Sequence, residues 1–360
     1  KALKLKPNEP KIIFQLALYY QYQGDWIKAE DLYKQVLKMD SSFTKVHYNL
    51  SINLLTQKKF EEFKEHYKWR VRDIEQIKSF NNVFDDFEVE LINKDDQLLF
   101  YYEQGIGDQL FFSRFLKKLN NKIVLVSSHK TQSFFRNNLE KIEVIGKEEY
   151  ETDYKHRNDI KKLNLASVIR FLNKNDIKET RNFLFKPAQK NNAFIQKKHE
   201  NLKIGISWRS REDNFGRSKG YPLIRLIESL NNKDNIELIN LQYGSVEDEL
   251  KKIDKEYGWK IENPGDIDIT NDMNDLAELI STCDIVVTCS NVTAHVAGVL
   301  GKKTLLILPK YYGRLWFWDY DEKKYSYWYP SVKIIINEMN KWEDVFEMMN
   351  STLNSIEYEN

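Results

Sequence analysis

From residue 97 onward, short apolar runs alternate with amphipathic segments, and the alternation occurs twice, on either side of a polar stretch at 189–201. In the first block Gln97–Tyr102, Ile123–Val126 and Ile142–Ile145 read as strands. A helix follows Asp108 to about Leu119, another covers Thr131–Asn138, and 150–185 reads as mostly helical up to Pro187. In the second block the strands are Lys203–Trp208, Ile236–Leu241, Ile285–Thr288 and Thr304–Leu308. The helices there are Leu223–Leu230, one ending at Ala277–Ser281, Thr293–Leu300 and a last one at Trp342–Leu353. Continuously apolar strands separated by helices and short loops belong to parallel sheets covered on both faces. The expected fold class is therefore α/β: two Rossmann-like domains, at 97–190 and 200–325, with a helical C-terminal segment at 326–360. Ligands of such sheets bind beyond the carboxyl ends of the strands, so both domains are expected to face one cleft.

Residues 1–72 follow another rule. Leu16, Ala17 and Tyr20 precede Gly24, and Trp26, Ala29 and Tyr33 follow it at helical spacing. A shift of 34 residues brings Leu50, Ser51 and Leu54, then Phe60, Phe63 and Tyr67, into the same slots. A 34-residue period with small residues where helices cross is the tetratricopeptide pattern, and the second copy is degraded because Lys58 and Phe63 replace Gly and Ala. The segment reads as the C-terminal part of an all-α array that opens inside a repeat, which implies further repeats upstream. Residues 73–96 read as a polar linker.

A net charge of +1 gives no electrostatic reason to expect nucleic acid or an anionic membrane as partner. No apolar run reaches the ~18 residues of a membrane span, and no signal peptide is visible. Cys283 and Cys289 flank a strand, which would hold them roughly 20 Å apart, too far for a disulfide. The expected compartment is the cytoplasm.

Three segments carry candidate chemistry. Gln104-Gly105-Ile106-Gly107-Asp108 lies at a strand-to-helix junction, where two glycines permit a sharp turn and close approach of a ligand. Asp108 reads equally as a helix cap or as a catalytic carboxylate. Ser290-Asn291-Val292-Thr293-Ala294-His295 opens a helix after a strand, a natural anion site, although Ser290 and Thr293 could simply cap and His295 could simply pack. Arg209, Arg217 and Lys219 on the loop after Lys203–Trp208 could grip a pyrophosphate or remain solvated. Asp266-Ile267-Asp268 and Asp319-Tyr320-Asp321 match a short acidic metal-binding string that a chain this rich in Asp meets by chance. The six His show no ligand spacing, so no metal is expected.

The order of these segments is more specific than any one of them. Gly105-Ile106-Gly107-Asp108, Gly205-Ile206-Ser207-Trp208, Leu241-Gln242-Tyr243-Gly244, Leu276–Ile280, Ser290–Lys302, a strand ending at Pro309 and Trp328-Tyr329-Pro330-Ser331 follow one another over about 97–350. This series resembles the glycosyltransferase family 9 (heptosyltransferase-like) domains found fused to tetratricopeptide repeats in bacteria. The resemblance implies the GT-B architecture, a nucleotide-sugar donor on the C-terminal domain, an acceptor on the N-terminal one, and no metal or other cofactor. It also implies Asp108 as base, with Gln104, Gly105 and Gly107 on the acceptor side. The donor phosphates and nucleotide would fall to Arg209, Arg217, Lys219, Gln242 and Ser290–His295. Ser290-Asn291 stands where the family usually carries Asp-Thr, so the heptose donor is not carried over. The expected reaction is inverting sugar transfer to an acceptor protein recruited by the repeats. The alternatives are a repeat-fused O-GlcNAc-type protein transferase and a non-catalytic adapter.

Overall fold

The computed structural model describes residues 9–73, 86–188, 201–210, 219–230, 235–310, 315–338 and 341–357, with side chains to 353. It divides into two compact units, Lys1–Ser127 with Lys141–Thr180 and Ser128–Glu140 with Arg181–Asn360. The helical N-terminal segment and the first sheet thus share one unit. Among the described residues no helix is long and apolar enough to cross a membrane.

The first unit begins with α1 (Pro10–Tyr22), α2 (Trp26–Met39), α3 (Thr44–Thr56), α4 (Phe60–Tyr67) and the single turn α5 (Arg70–Asp73). Helix α1 packs on α2, α2 on α3, and α3 on both α4 and α5. Ala17, Ala29, Tyr33, Leu50, Ser51, Leu54, Phe60, Phe63 and Tyr67 are buried between them, whereas Leu16, Tyr20 and Trp26 are half-buried. The 34-residue spacing is repeated in the backbone. Gly24 (φ 79°) and Lys58 (φ 62°) are both left-handed. Gly24 and Asp25 N–H donate to the carbonyls of Gln21 (3.0 Å) and Tyr20 (2.9 Å), and Lys58 and Lys59 N–H to those of Leu55 (3.0 Å) and Leu54 (2.9 Å). Only glycine adopts this conformation without a Cβ penalty. Lys58→Gly is therefore expected to stabilise the unit by about 0.5–1 kcal/mol, less than the full strain because glycine also loosens the unfolded chain. A raised urea midpoint at unchanged slope would confirm it, and an unchanged or lowered midpoint would refute it.

The sheet of this unit contains β1 (Leu98–Tyr101), β2 (Ile123–Val126), β3 (Glu143–Ile145) and β4 (Lys161–Asn164) in the order β3-β2-β1-β4, all parallel. Helix α6 (Ile106–Ser113) leaves β1, and α8 (Lys174–Thr180) closes the unit. Residues 150–185, expected to be mostly helical, contain β4. Its two lysines hide it from a search for apolar runs, but Lys162 is buried and donates to the Lys155 carbonyl (2.6 Å). The stretch 73–96, expected to be a linker, includes a 3₁₀ segment at Asp86–Leu91 that buries Asp86 and Val89. Helix α7 (His129–Asn138), which follows β2 in the chain, belongs to the second unit.

The second unit holds β5 (Leu202–Ser207), α9 (Leu223–Leu230), β6 (Ile236–Asn240), α10 (Glu247–Tyr257), β7 (Ile261–Glu262), α11 (Met273–Thr282), β8 (Ile285–Cys289), α12 (Val292–Val299), β9 (Thr304–Pro309), β10 (Val332–Asn337) and α13 (Trp342–Glu357). Six parallel strands run in the order β10-β9-β8-β5-β6-β7. The stretch 326–360, expected to be helical, thus supplies an edge strand that pairs with β9 along its whole length. Ile204, Ile206, Leu226, Ile227, Leu230, Val287, Ile307, Phe346 and Met349 form the core on one face. On the other face, α7 packs on α11. The amide of Asn138 exchanges hydrogen bonds with the backbone of Lys186 (2.8 and 2.7 Å). Both cysteines are buried and free.

Strand order reverses between β1 and β4 in the first sheet and between β5 and β8 in the second. In each doubly wound sheet this switch point leaves a crevice at the carboxyl ends of the strands. The loops after β1 and β8 both begin there.

Candidate active site

In the first unit, β1 runs into Tyr102, Glu103 and Gln104 before α6 starts. Gln104 is exposed and left-handed (φ 63°), whereas Gly105 is extended (φ −80°, ψ 171°) and Gly107 lies inside α6. The sharp turn expected of the two glycines is therefore made by Gln104. A Cβ on Gly105 would meet only Asp108 Oδ2, at 3.5 Å, an ordinary contact. The backbone N–H of Gly105 donates to Asp108 Oδ2 (3.2 Å), so Asp108 does cap α6. A capping carboxylate normally has a depressed pKa. That of Asp108 is instead pushed up to about 7, first by burial and then by the charge of Glu103, with the Gly105 hydrogen bond opposing both. A carboxyl group poised near neutrality at a switch point is suited to exchanging a proton with a ligand. Both oxygens of Glu103 are occupied: Oε2 accepts from Arg70 Nη1 (2.5 Å) and Oε1 from the Ala166 N–H (2.9 Å).

In the second unit some of the expected donor-side residues, Arg209, Gln242, Asn291 and Ala294, come together as a self-supporting frame. Gln242 Oε1 accepts from Ser207 Oγ (3.1 Å) and from the N–H groups of Trp208 (3.0 Å) and Arg209 (2.9 Å). Asn291 caps α12 by accepting from Ala294 N–H (3.2 Å), and its amide donates to Ser207 Oγ (2.8 Å) and the Arg209 carbonyl (3.1 Å). The carboxyl ends of β5 and β8 are thereby tied across the switch point. Ser290 Oγ accepts from Trp318 Nε1 (2.9 Å), Thr293 Oγ1 reaches the Leu241 carbonyl (3.4 Å), and His295 Nδ1 lies 2.9 Å from the Tyr329 hydroxyl. Ala294 is buried and Val292 half-buried.

Arg209 is ion-paired with Glu249 and donates from Nη2 to the Ser245 carbonyl (2.9 Å). Lys219 is buried rather than exposed on the loop, and Arg217 lies outside the described residues. The packing around this frame is tight. A Cβ on Gly298 would lie 2.5 Å from the Tyr329 ring, and one on Gly220 2.9 Å from the Trp208 carbonyl.

In each acidic string one carboxylate is held by local backbone. Asp268 Oδ1 accepts from the N–H groups of Thr270 (3.1 Å) and Asn271 (2.8 Å), and Asp321 Oδ1 from Tyr325 N–H (2.9 Å). Among the described residues no group of three or more His, Cys, Asp or Glu side chains is arranged to hold a metal ion. Arg70, Asp86, Ser167, Glu249 and Trp318 shape the two loops and were not legible in advance. Each acts across a separation in sequence that carries no local pattern.

No family model matches the chain. It is 30% identical over 152 residues to Protein FlbA of Caulobacter vibrioides, a match covering 42% of this chain and 25% of that protein. The chain therefore spans about a quarter of this curated relative. In structure it is similar to the glycosyl transferase family 9 protein from Veillonella parvula DSM 2008, at 12% identity, over 72% of this chain and 90% of that one, with a TM-score of 0.49. It is also similar to the ADP-heptose lps heptosyltransferase II of E. coli, at 13% identity, over 73% and 99% of the two chains, with a TM-score of 0.48.

Proposed function

We propose that the chain is a nucleotide-sugar-dependent glycosyltransferase of the GT-B type, inverting and metal-independent, with tetratricopeptide repeats at its N-terminus that recruit a protein acceptor. The observation that carries the reading is Asp108: a half-buried carboxyl at the carboxyl end of β1, poised at about 7 beside the sheet's switch point. The ordered series of motifs from Gly105 to Ser331 supports the family, and the 34-residue backbone repeat at Gly24 and Lys58 supports the array. Two free, buried cysteines accord with a reducing compartment such as the cytoplasm.

In this reading Asp108 removes the proton from an acceptor hydroxyl. The oxygen bonds to the anomeric carbon as the bond to the nucleoside diphosphate breaks, and the leaving group keeps the electron pair. Backbone amides at the start of α12 would receive the charge that develops on the diphosphate. The frame of Gln242 and Asn291 fixes those amides before the ligand arrives. A second reading, a non-catalytic adapter, draws on one observation: Arg209, one of the candidate cations, is already paired with Glu249.

A nucleoside diphosphate without divalent metal should stabilise the folded chain by about 2.7 kcal/mol at a hundred times its dissociation constant. Thermal shift with a panel of nucleotides and nucleotide-sugars, with and without chelator, measures this. No shift, or a shift only with metal, would overturn the donor-site assignment.

A further inference from the structure

Arg70 is completely buried although it sits in the single turn α5 at the end of the helical segment. Its Nη1 donates to Glu103 Oε2 (2.5 Å) and its Nη2 to Ser167 Oγ (3.0 Å), while Asp86 Oδ2 lies 3.9 Å away. Its guanidinium stands 5.0 Å from the centre of the Tyr67 ring. Ser167 Oγ in turn contacts both oxygens of Asp86 (2.7 and 2.9 Å). Four segments distant in sequence, α4–α5, 86–91, the end of β1 and 165–171, thus meet on one guanidinium. A buried charge cluster of this kind adds little net stability compared with apolar residues of the same volume. Its place is more informative: Glu103 directly precedes the left-handed Gln104, and the next residue, Gly105, holds Asp108.

We propose that Arg70 is a positioning residue for Asp108: from the helical segment it clamps Glu103, and through Glu103 it holds the Gln104–Asp108 loop and balances the charge around the Asp108 carboxylate. This deepens the transferase reading, in which Asp108 is the base. Among the described residues, Glu103, Arg70 and Tyr67 bear on Asp108, while Asp86 bears on Arg70 and Glu103. Tyr67 is kept neutral by burial, and burial also favours the protonated form of Asp86. Beyond burial and the Gly105 hydrogen bond, the charges that act on Asp108 in opposite directions are the anion of Glu103 and the cation of Arg70. Removing the cation alone leaves Glu103 uncompensated, so ionising Asp108 becomes harder. Removing both charges takes away two opposing influences, so the result lies between those of the single changes.

The test needs no donor or acceptor. The Asp108 carboxyl is titrated in the full chain by carbon-13 NMR, identified by its absence in Asp108→Asn. In the unaltered protein the midpoint is expected near 7. Arg70→Met should raise it, Glu103→Gln should lower it, and the double variant should fall between the two single variants. A residue that only fills space would leave the midpoint in place. An unmoved midpoint in folded Arg70→Met would therefore overturn the proposal. Should Arg70→Met not fold, Glu103→Gln and the double variant decide in the same way. Shifted midpoints without sugar transfer would sink the transferase reading and leave Arg70's role standing. Transfer through Asp108 with unmoved midpoints would sink only the role of Arg70.

Discussion

Asp108→Asn is expected to lower turnover about a hundredfold or more while leaving donor affinity unchanged and the melting temperature unchanged or raised. An asparagine Oδ1 still accepts the Gly105 N–H, so the cap on α6 is preserved. The amide also removes a carboxylate that burial and Glu103 disfavour, so no stability is lost with the charge. Only proton acceptance disappears. If Asp108 is the base, turnover of the unaltered protein should fall as pH drops through about 7, because a base must be ionised and the pKa of Asp108 is raised. Kinetics, donor affinity and melting on one purified variant provide the check. Near-normal turnover would exclude Asp108 as the base. Glu103 could not take its place without first giving up Arg70 and the Ala166 amide.

Deleting residues 1–73 is expected to abolish the cooperative unfolding transition of the first unit, not merely to detach an acceptor-binding module. The deletion removes Arg70 and leaves Glu103 and Asp86 buried without their cation, a loss of about 3–5 kcal/mol for a broken buried pair. It also removes the buried Tyr67 ring from the same cluster. Against a domain stability of about 5–15 kcal/mol, these losses together are decisive. The second sheet takes no strand from the first unit, so its own transition should persist. Calorimetry of the truncated chain would show one transition lost and one kept, and two intact transitions would contradict the expectation.

Much of the strand framework could be read in advance, because fully buried parallel strands are continuous apolar runs. Ile123–Val126 and Ile285–Cys289 are cases where the expected and observed strands nearly coincide, since every residue of each is buried. Where burial and apolarity part company the reading failed. β4 carries two lysines, and β7 is only two residues long. β10 did carry a signal, an isoleucine run after Val332, and belonged with the strands from the outset.

The candidate site divides along the same line. Which residues stand at the junctions after β1, β5 and β8 is a matter of local order in the chain, and the sequence by itself determined it: a short polar loop after an apolar run must emerge at a strand's carboxyl end. Local order also placed Asp108 where it caps a helix. Only the tertiary structure decided what those side chains do, because burial and neighbouring charge come from segments far away in the chain. Asn291 became a tie because β5 and β8 lie side by side in the sheet, and Gln242 because β6 flanks β5 on its other edge. The acidity of Asp108 was set in the same way, first by burial and then by a glutamate paired with an arginine from the helical segment: two buried opposite charges need each other, and nothing in local sequence announces which pair will meet.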